Sequence, residues 1–193
     1  MAIILYEKDN QSLCQPQASF YLFYFTMPDS HMFPICHLIS GDLWAGAEVM
    51  AFHLFTRLHA HPDIDLTAIL LNEGRLAREC REKGIRVLVI NESEHSFLQI
   101  ALKIRQLLRK FPTDIIHSHR YKENLLAFLV SSFSPTKLIS TQHGLPEHMG
   151  RSVSLPGGFK SKANFWVLSR KFRKVVAVSQ DIQTFFFKDR GFA

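Results

Sequence analysis

Two histidines one residue apart, His117 and His119, close an apolar run in the segment DIIHSHRYKENLLA, residues 114–127. A polar corner of Arg120, Tyr121 and Lys122 follows, and an apolar helix begins behind it. Imidazole titrates nearest neutrality, so such a pair suits acid–base chemistry, hydrogen bonding to a polar ligand, or metal binding. On a strand both rings lie on the same face. A metal reading would complete the pair with His143 or His148. However, no Asp or third His follows at the short spacing metallohydrolases use, and Asp114 lies before the strand, so metal is disfavoured. His117 reads as a core histidine bonded to backbone. His119, at the very end of the run, reads as the ring that projects into a crevice.

The second candidate is the corner GDLWAGAE, residues 41–48. Glycines between a first strand and a first helix let backbone amides approach a phosphate, and the helix N-terminus adds partial positive charge. The pattern is not GxGxxG, and no acidic residue follows the second strand at a ribose-binding position, so a nicotinamide dinucleotide is disfavoured. It lacks the GK[ST] of a P-loop.

The elements that must position these residues alternate regularly from residue 35. Apolar runs at 35–40, 64–71, 85–90, 114–119, 137–142 and 174–179 read as strands, separated by helical periodicity at 47–60, 73–84, 97–111, 123–133 and 160–172. Gly84 closes the second helix. Continuous apolar strands alternating with helices specify an α/β fold, a Rossmann-like doubly wound parallel sheet covered on both faces. In such sheets ligands bind outside the carboxyl ends of the strands, here residues 40–46, 117–121, 142–147 and 179–181.

The 193 residues suffice for one domain with a substantial core. A net charge of +6 and pI near 9.4 fit an anionic partner without choosing among phosphorylated metabolite, membrane surface and nucleic acid. No nucleic-acid module is recognisable, and no nucleic-acid partner is expected. Cys14, Cys36 and Cys80 are odd in number and widely spaced, which points to a reducing compartment rather than a disulfide framework. The longest apolar candidate for a span, residues 18–27, ends after ten residues at Pro28. It is too short to cross a bilayer, and no basic leader or cleavage site makes it a signal peptide. Residues 1–33 do not read like the rest. They are expected to be either an extension of no fixed structure, with translation starting at Met32 or Met27, or an aromatic arm packed on the domain at 34–193.

The stretches GDLWAGAE, DIIHSHRYKENLL, STQHG and KVVAVSQDI, in this order and spacing, resemble the N-terminal domain of retaining glycosyltransferases of the GT-B fold, family 4, across residues 35–190. The resemblance implies the N-terminal, acceptor-side half of a GT-B fold, facing a second domain that binds a nucleotide-sugar donor. It implies metal-independent hexosyl transfer to a glycan, lipid-linked or polysaccharide acceptor, with no cofactor and the nucleotide-sugar as substrate. Gly46 matches the second glycine of the family's GGxE corner, whose amide approaches the donor diphosphate, and Glu48 matches the acid. Ala45 stands where the first glycine is usual, which the turn tolerates only at negative φ. Glu48 reads equally as a first-turn carboxylate favoured by the helix dipole. His119 matches the histidine beside the transferring sugar and is the catalytic candidate. His143 and Gly144 of TQHG would line the same cleft. Loops 41–46, 119–124 and 144–158 would select the acceptor, with Trp44, Arg120, Lys122 and Glu147 as candidates.

The basic, aromatic segment 159–174 reads either as an outer helix with a buried aromatic stripe or as a peripheral contact with an anionic membrane face. The expected location is cytoplasmic. No two of the nine glutamates are spaced as the donor domain's E-x7-E requires. The chain therefore reads as half an enzyme, with little or no transferase activity by itself and a missing or separate C-terminal donor domain. Two other readings are kept open: a stand-alone binding subunit completed by a separate donor domain, and a hydrolase using the His119/His143 pair.

Overall fold

The computed structural model describes residues 4–7, 32–132, 134–144 and 157–186. The elements in chain order are β1 (Ile4–Glu7), β2 (Phe33–Ile39), α1 (Gly46–His59), β3 (Ile64–Leu70), α2 (Arg75–Glu82), β4 (Arg86–Val89) and α3 (Phe97–Lys110). They continue as β5 (Ile115–Ser118), α4 (Tyr121–Ser131), β6 (Lys137–Gln142), α5 (Gly157–Lys171), β7 (Phe172–Ala177) and α6 (Gln180–Thr184). One sheet holds all seven strands in the order β1-β7-β6-β5-β2-β3-β4. Strands β2 to β7 are mutually parallel, the Rossmann-like arrangement expected, and β1 pairs antiparallel with β7.

Alternation along β2 and β3 divides the core. Ile39, Ala68 and Leu70 face α1 and α2, where Ala51, Phe55, Leu76 and Cys80 are buried. Cys36, Leu38 and Ile69 face the other side, where α3, α4 and α5 contribute Ile100, Ile104, Leu126 and Leu168. Helix ends follow local chemistry. Ser96 and Gln99 form a reciprocal capping box that starts α3. Gly84, with φ 77°, ends α2 as the sequence indicates.

Three boundaries differ from the sequence expectation. β7 begins at Phe172, so the expected helix at 160–172 yields its last residue to the strand, where the Phe172 ring is buried. β5 stops at Ser118, leaving His119 one residue past the strand. The N-terminal segment set apart at 1–33 contains β1, and its final residue, Phe33, opens β2. Most of that segment lies outside the described residues, as do residues 145–156 of the expected loop 144–158.

Candidate functional site

The chain runs β2, β3, β4 towards one edge and then returns to place β5 on the other side of β2. β2 and β5 are thus the topological switch point, where the connections to α1 and α4 diverge and open a crevice. His37 of β2 and His117 of β5 are register partners at this seam.

Four imidazoles line up there. His37 Nδ1 and His119 Nε2 are 3.1 Å apart, and His119 Nδ1 and His143 Nε2 are also 3.1 Å apart. His117 stacks on His119 with ring centroids 4.6 Å apart and bonds through Nε2 to Thr141 Oγ1 at 2.8 Å. Phe55 of α1 packs on His37 at 4.5 Å and closes the inner end. His37 and His119 are fully buried, whereas His143 is only half-buried. Burial disfavours the charged ring, and neighbouring rings disfavour it further. His117 is lowered to about 3 and His143 to about 4, the latter with a contribution from the Arg120 guanidinium. His37 and His119 are held well below the ordinary histidine range. The row is neutral at physiological pH.

Nitrogens of His37, His117 and His119 lie within 4.8 Å of one another, which raises the question of a metal. A tetrahedral ion needs lone pairs converging on one point about 2.0–2.1 Å from each nitrogen. Here His119 is nearly parallel to its neighbours, at 20° to His117 and 27° to His37, and both its nitrogens face other imidazoles. The geometry is that of a hydrogen-bonded row rather than a converging ligand set.

The corner before α1 has the conformation its alanine requires: Ala45 sits at φ −123°, extended backbone open to any residue. Gly46 is exposed, and a Cβ there would meet nothing among the described residues within 4 Å, so the start of α1 is open on that side. Glu48 does not stay near those amides. Its carboxylate is fully buried, and Arg120 Nη2 donates to its Oε1 at 2.6 Å, tying α1 to the β5–α4 corner. Asp42 approaches the same guanidinium at 3.7 Å. Glu48 is a tether, which neither of its sequence readings foresaw.

Beneath the row lies a second buried polar set. Ser118 and Ser140 both donate to Asn124 Oδ1, at 2.6 and 2.7 Å, and Asn124 Nδ2 donates to Asn164 Oδ1 at 2.9 Å. Gln142 Nε2 donates to Ser140 Oγ at 2.6 Å. These bonds join β5, β6, α4 and α5 behind the crevice. Glu123 is also buried, and burial pushes its carboxyl above the ordinary carboxylate range.

The structure therefore brings together His119, His143, Gly46, Glu48 and Arg120, with Gly144 exposed at the mouth. Several placements correct the expectation. His119 is enclosed between two rings rather than projecting, and His143, the outer of those two, is half-buried, as is His117. The side-chain partner of His117 is a hydroxyl, not backbone. Trp44 packs under the Arg75 guanidinium, 4.5 Å from the ring centroid, and beside Phe52. Lys122 is paired with Glu92. Glu147 lies outside the described residues. On α5, Val167 and Leu168 are buried and Phe165 is half-buried, while Trp166 stays 53% exposed. Among the described residues no helix is long and apolar enough to cross a membrane.

Sequence reasoning missed His37, the inner end of the row, and the Asn124 set. The described cysteines, Cys36 and Cys80, are free and buried, and burial pushes both thiols up to about 12.

The sequence profile of Glycosyltransferase Family 4 matches residues 44–193. Comparison with curated protein sequences finds no match. Among solved structures, Anabaena HepE in complex with UDP superposes with a TM-score of 0.66 at 19% identity, covering 82% of this chain and 41% of that one. A glycosyltransferase from Rickettsia africae gives 0.62 at 21% identity, covering 81% and 39%. The lipopolysaccharide outer core galactosyltransferase WaaB gives 0.51 at 16% identity, covering 61% and 35%. The chain thus spans about two fifths or less of the length of these structures.

Proposed function

Because the chain belongs to glycosyltransferase family 4, we propose that it supplies the acceptor-side half of a hexosyl transfer from a nucleotide-sugar to a glycan, lipid-linked or polysaccharide acceptor. The observation that carries this reading is the convergence at the sheet's switch point. Gly46 follows β2, His119 follows β5, and the half-buried His143 with the exposed Gly144 follows β6, at the carboxyl ends of three neighbouring strands. Helix amides are suited to a diphosphate, and a neutral imidazole to a sugar hydroxyl or phosphate oxygen. HepE, of the same fold, is described with UDP and with UDP-glucose, which supports a uridine nucleotide-sugar as the class of donor. WaaB acts in the lipopolysaccharide outer core, which supports a cell-surface glycan acceptor.

In this reading Arg120 and Lys122 act mainly through the carboxylates they hold, and the site uses no metal. Backbone amide spectra recorded while UDP-glucose is added test the reading. Shifts at Gly46, Ala47, His143 and Gly144 are expected. Binding that perturbs only residues away from the strand ends, or none at millimolar ligand, overturns it.

A further inference from the structure

His37 is the member of the row whose ring nitrogen Nε2 is buried with no hydrogen bond among the described residues, whereas its Nδ1 faces His119. The three rings His37, His119 and His143 are joined by two bonds, and each bond needs one N–H and one lone pair. All three are neutral, so each carries one proton, and only two arrangements satisfy both bonds. In one, every ring is protonated at Nε2, which leaves a buried N–H orphaned on His37. In the other, every ring is protonated at Nδ1, which leaves only a bare lone pair on His37. Orphaned buried N–H groups are the rarer of the two defects.

We propose that His37 is a positioning residue for the crevice: from the buried end it donates through Nδ1 to His119, which donates through Nδ1 to His143. His143 then presents Nδ1–H on the open side as a neutral donor to an oxygen of the bound sugar or phosphate. That nitrogen has no hydrogen bond among the described residues, and of the three bonded rings His143 is the one that is half-buried. The identity of the ligand oxygen rests on the glycosyltransferase reading; the direction of the row does not. Phe55 against His37 and His117 stacked on His119 hold the rings in place, so neither can turn to offer its nitrogens elsewhere.

Long-range proton–nitrogen spectra of the histidine-labelled full chain between pH 6.5 and 8 test this without any ligand. The expected result is protonated Nδ1 and bare Nε2 at His37, His119 and His143. Protonated Nε2 at His119 overturns the proposal, as does one equivalent of zinc retained after dialysis and displacing the His119 proton. His37→Phe keeps a ring against Phe55 and removes both nitrogens. It is expected to convert His119 and His143 from single tautomers to mixtures, and unchanged tautomers in a folded variant count against His37. If the variant does not fold, the wild-type spectrum still decides. The Nδ1 pattern found in a chain that ignores UDP-glucose supports the row and removes only the glycosyltransferase reading of its ligand.

Discussion

Replacing Arg120 by alanine is the most direct probe of how the crevice is held together. Glu48 is 0% exposed, its Oε1 receives Arg120 Nη2 at 2.6 Å, and its Oε2 has no hydrogen-bond partner. Removing the guanidinium leaves a buried carboxylate with no counter-charge, a defect that costs about 3–5 kcal/mol. Arg120 is itself 34% exposed, so water reaches the gap and the lower end, about 3 kcal/mol, is expected. For a chain of this length that corresponds to a fall in Tm of about 6–12 °C. Glu48→Gln removes the charge and leaves Arg120 with solvent and Asp42, at a cost of about 1 kcal/mol. The double variant is expected to resemble Glu48→Gln rather than the sum, because the stranded charge has gone. Urea unfolding of the four proteins closes the cycle. If Arg120→Ala unfolds within about 1 kcal/mol of wild type, the pair is screened like a surface bridge and the tether is refuted.

Acid should unfold the domain early. His117 and His143 titrate near 3 and 4 when folded but near 6.5 when unfolded, with His37 and His119 lowered in the same direction. The unfolded chain therefore binds more protons, and stability is full above about pH 6.5 and falls as pH drops towards 4. Each ring contributes up to about 1.4 kcal/mol per pH unit. An unchanged urea midpoint between pH 7.5 and pH 5 contradicts neutral burial. Gly74, the residue before α2, and Gly46 should behave oppositely. A Cβ on Gly74 would lie 2.5 Å from the Gly41 carbonyl oxygen, so Gly74→Ala should cost about 1–3 kcal/mol. Gly46→Ala meets open space and should leave stability within about 0.5 kcal/mol while weakening UDP-glucose binding.

Particular residues show what sequence reading can and cannot reach. The strands β2 to β7 are legible because each is a continuous apolar run bounded by helical periodicity, and the strand ends then locate the crevice. β1 is not legible: four residues acquire meaning only from a partner strand at the far end of the chain. His37 hides for a related reason. Inside the run ICHLIS it looks like one more buried position, and only the adjacency of β2 to β5 sets it beside His117. Glu48 sits in the first turn of α1, where local rules suggest a helix-dipole role. Its link to Arg120 spans the switch point and depends on topology. Asn124 reads as a polar residue opening a helix, and its four-element network exists only once β6 and α5 have packed against it.

The antiparallel pairing of β1 also bears on how this sheet meets other molecules of itself. A parallel sheet ends in two edges, each a row of backbone groups ready to recruit a strand from a neighbouring chain. At the β4 edge the defence is charge. The strand is four residues long, and it opens with Arg86, which bonds to Asp65 and Thr67 of β3. At the other end the sheet stops at β1 itself, and Ile4 to Glu7 cover the backbone of β7 from Ala177 back to Lys174. A protein beginning at Met32 would keep every group of the crevice and bare the edge of a strand that reads FRKVVA. Its fault would be colloidal rather than chemical: self-association that grows with concentration. Pairing by Ile4 to Glu7 thus keeps the β7 backbone from a neighbouring chain, a duty separable from anything that happens at the histidines.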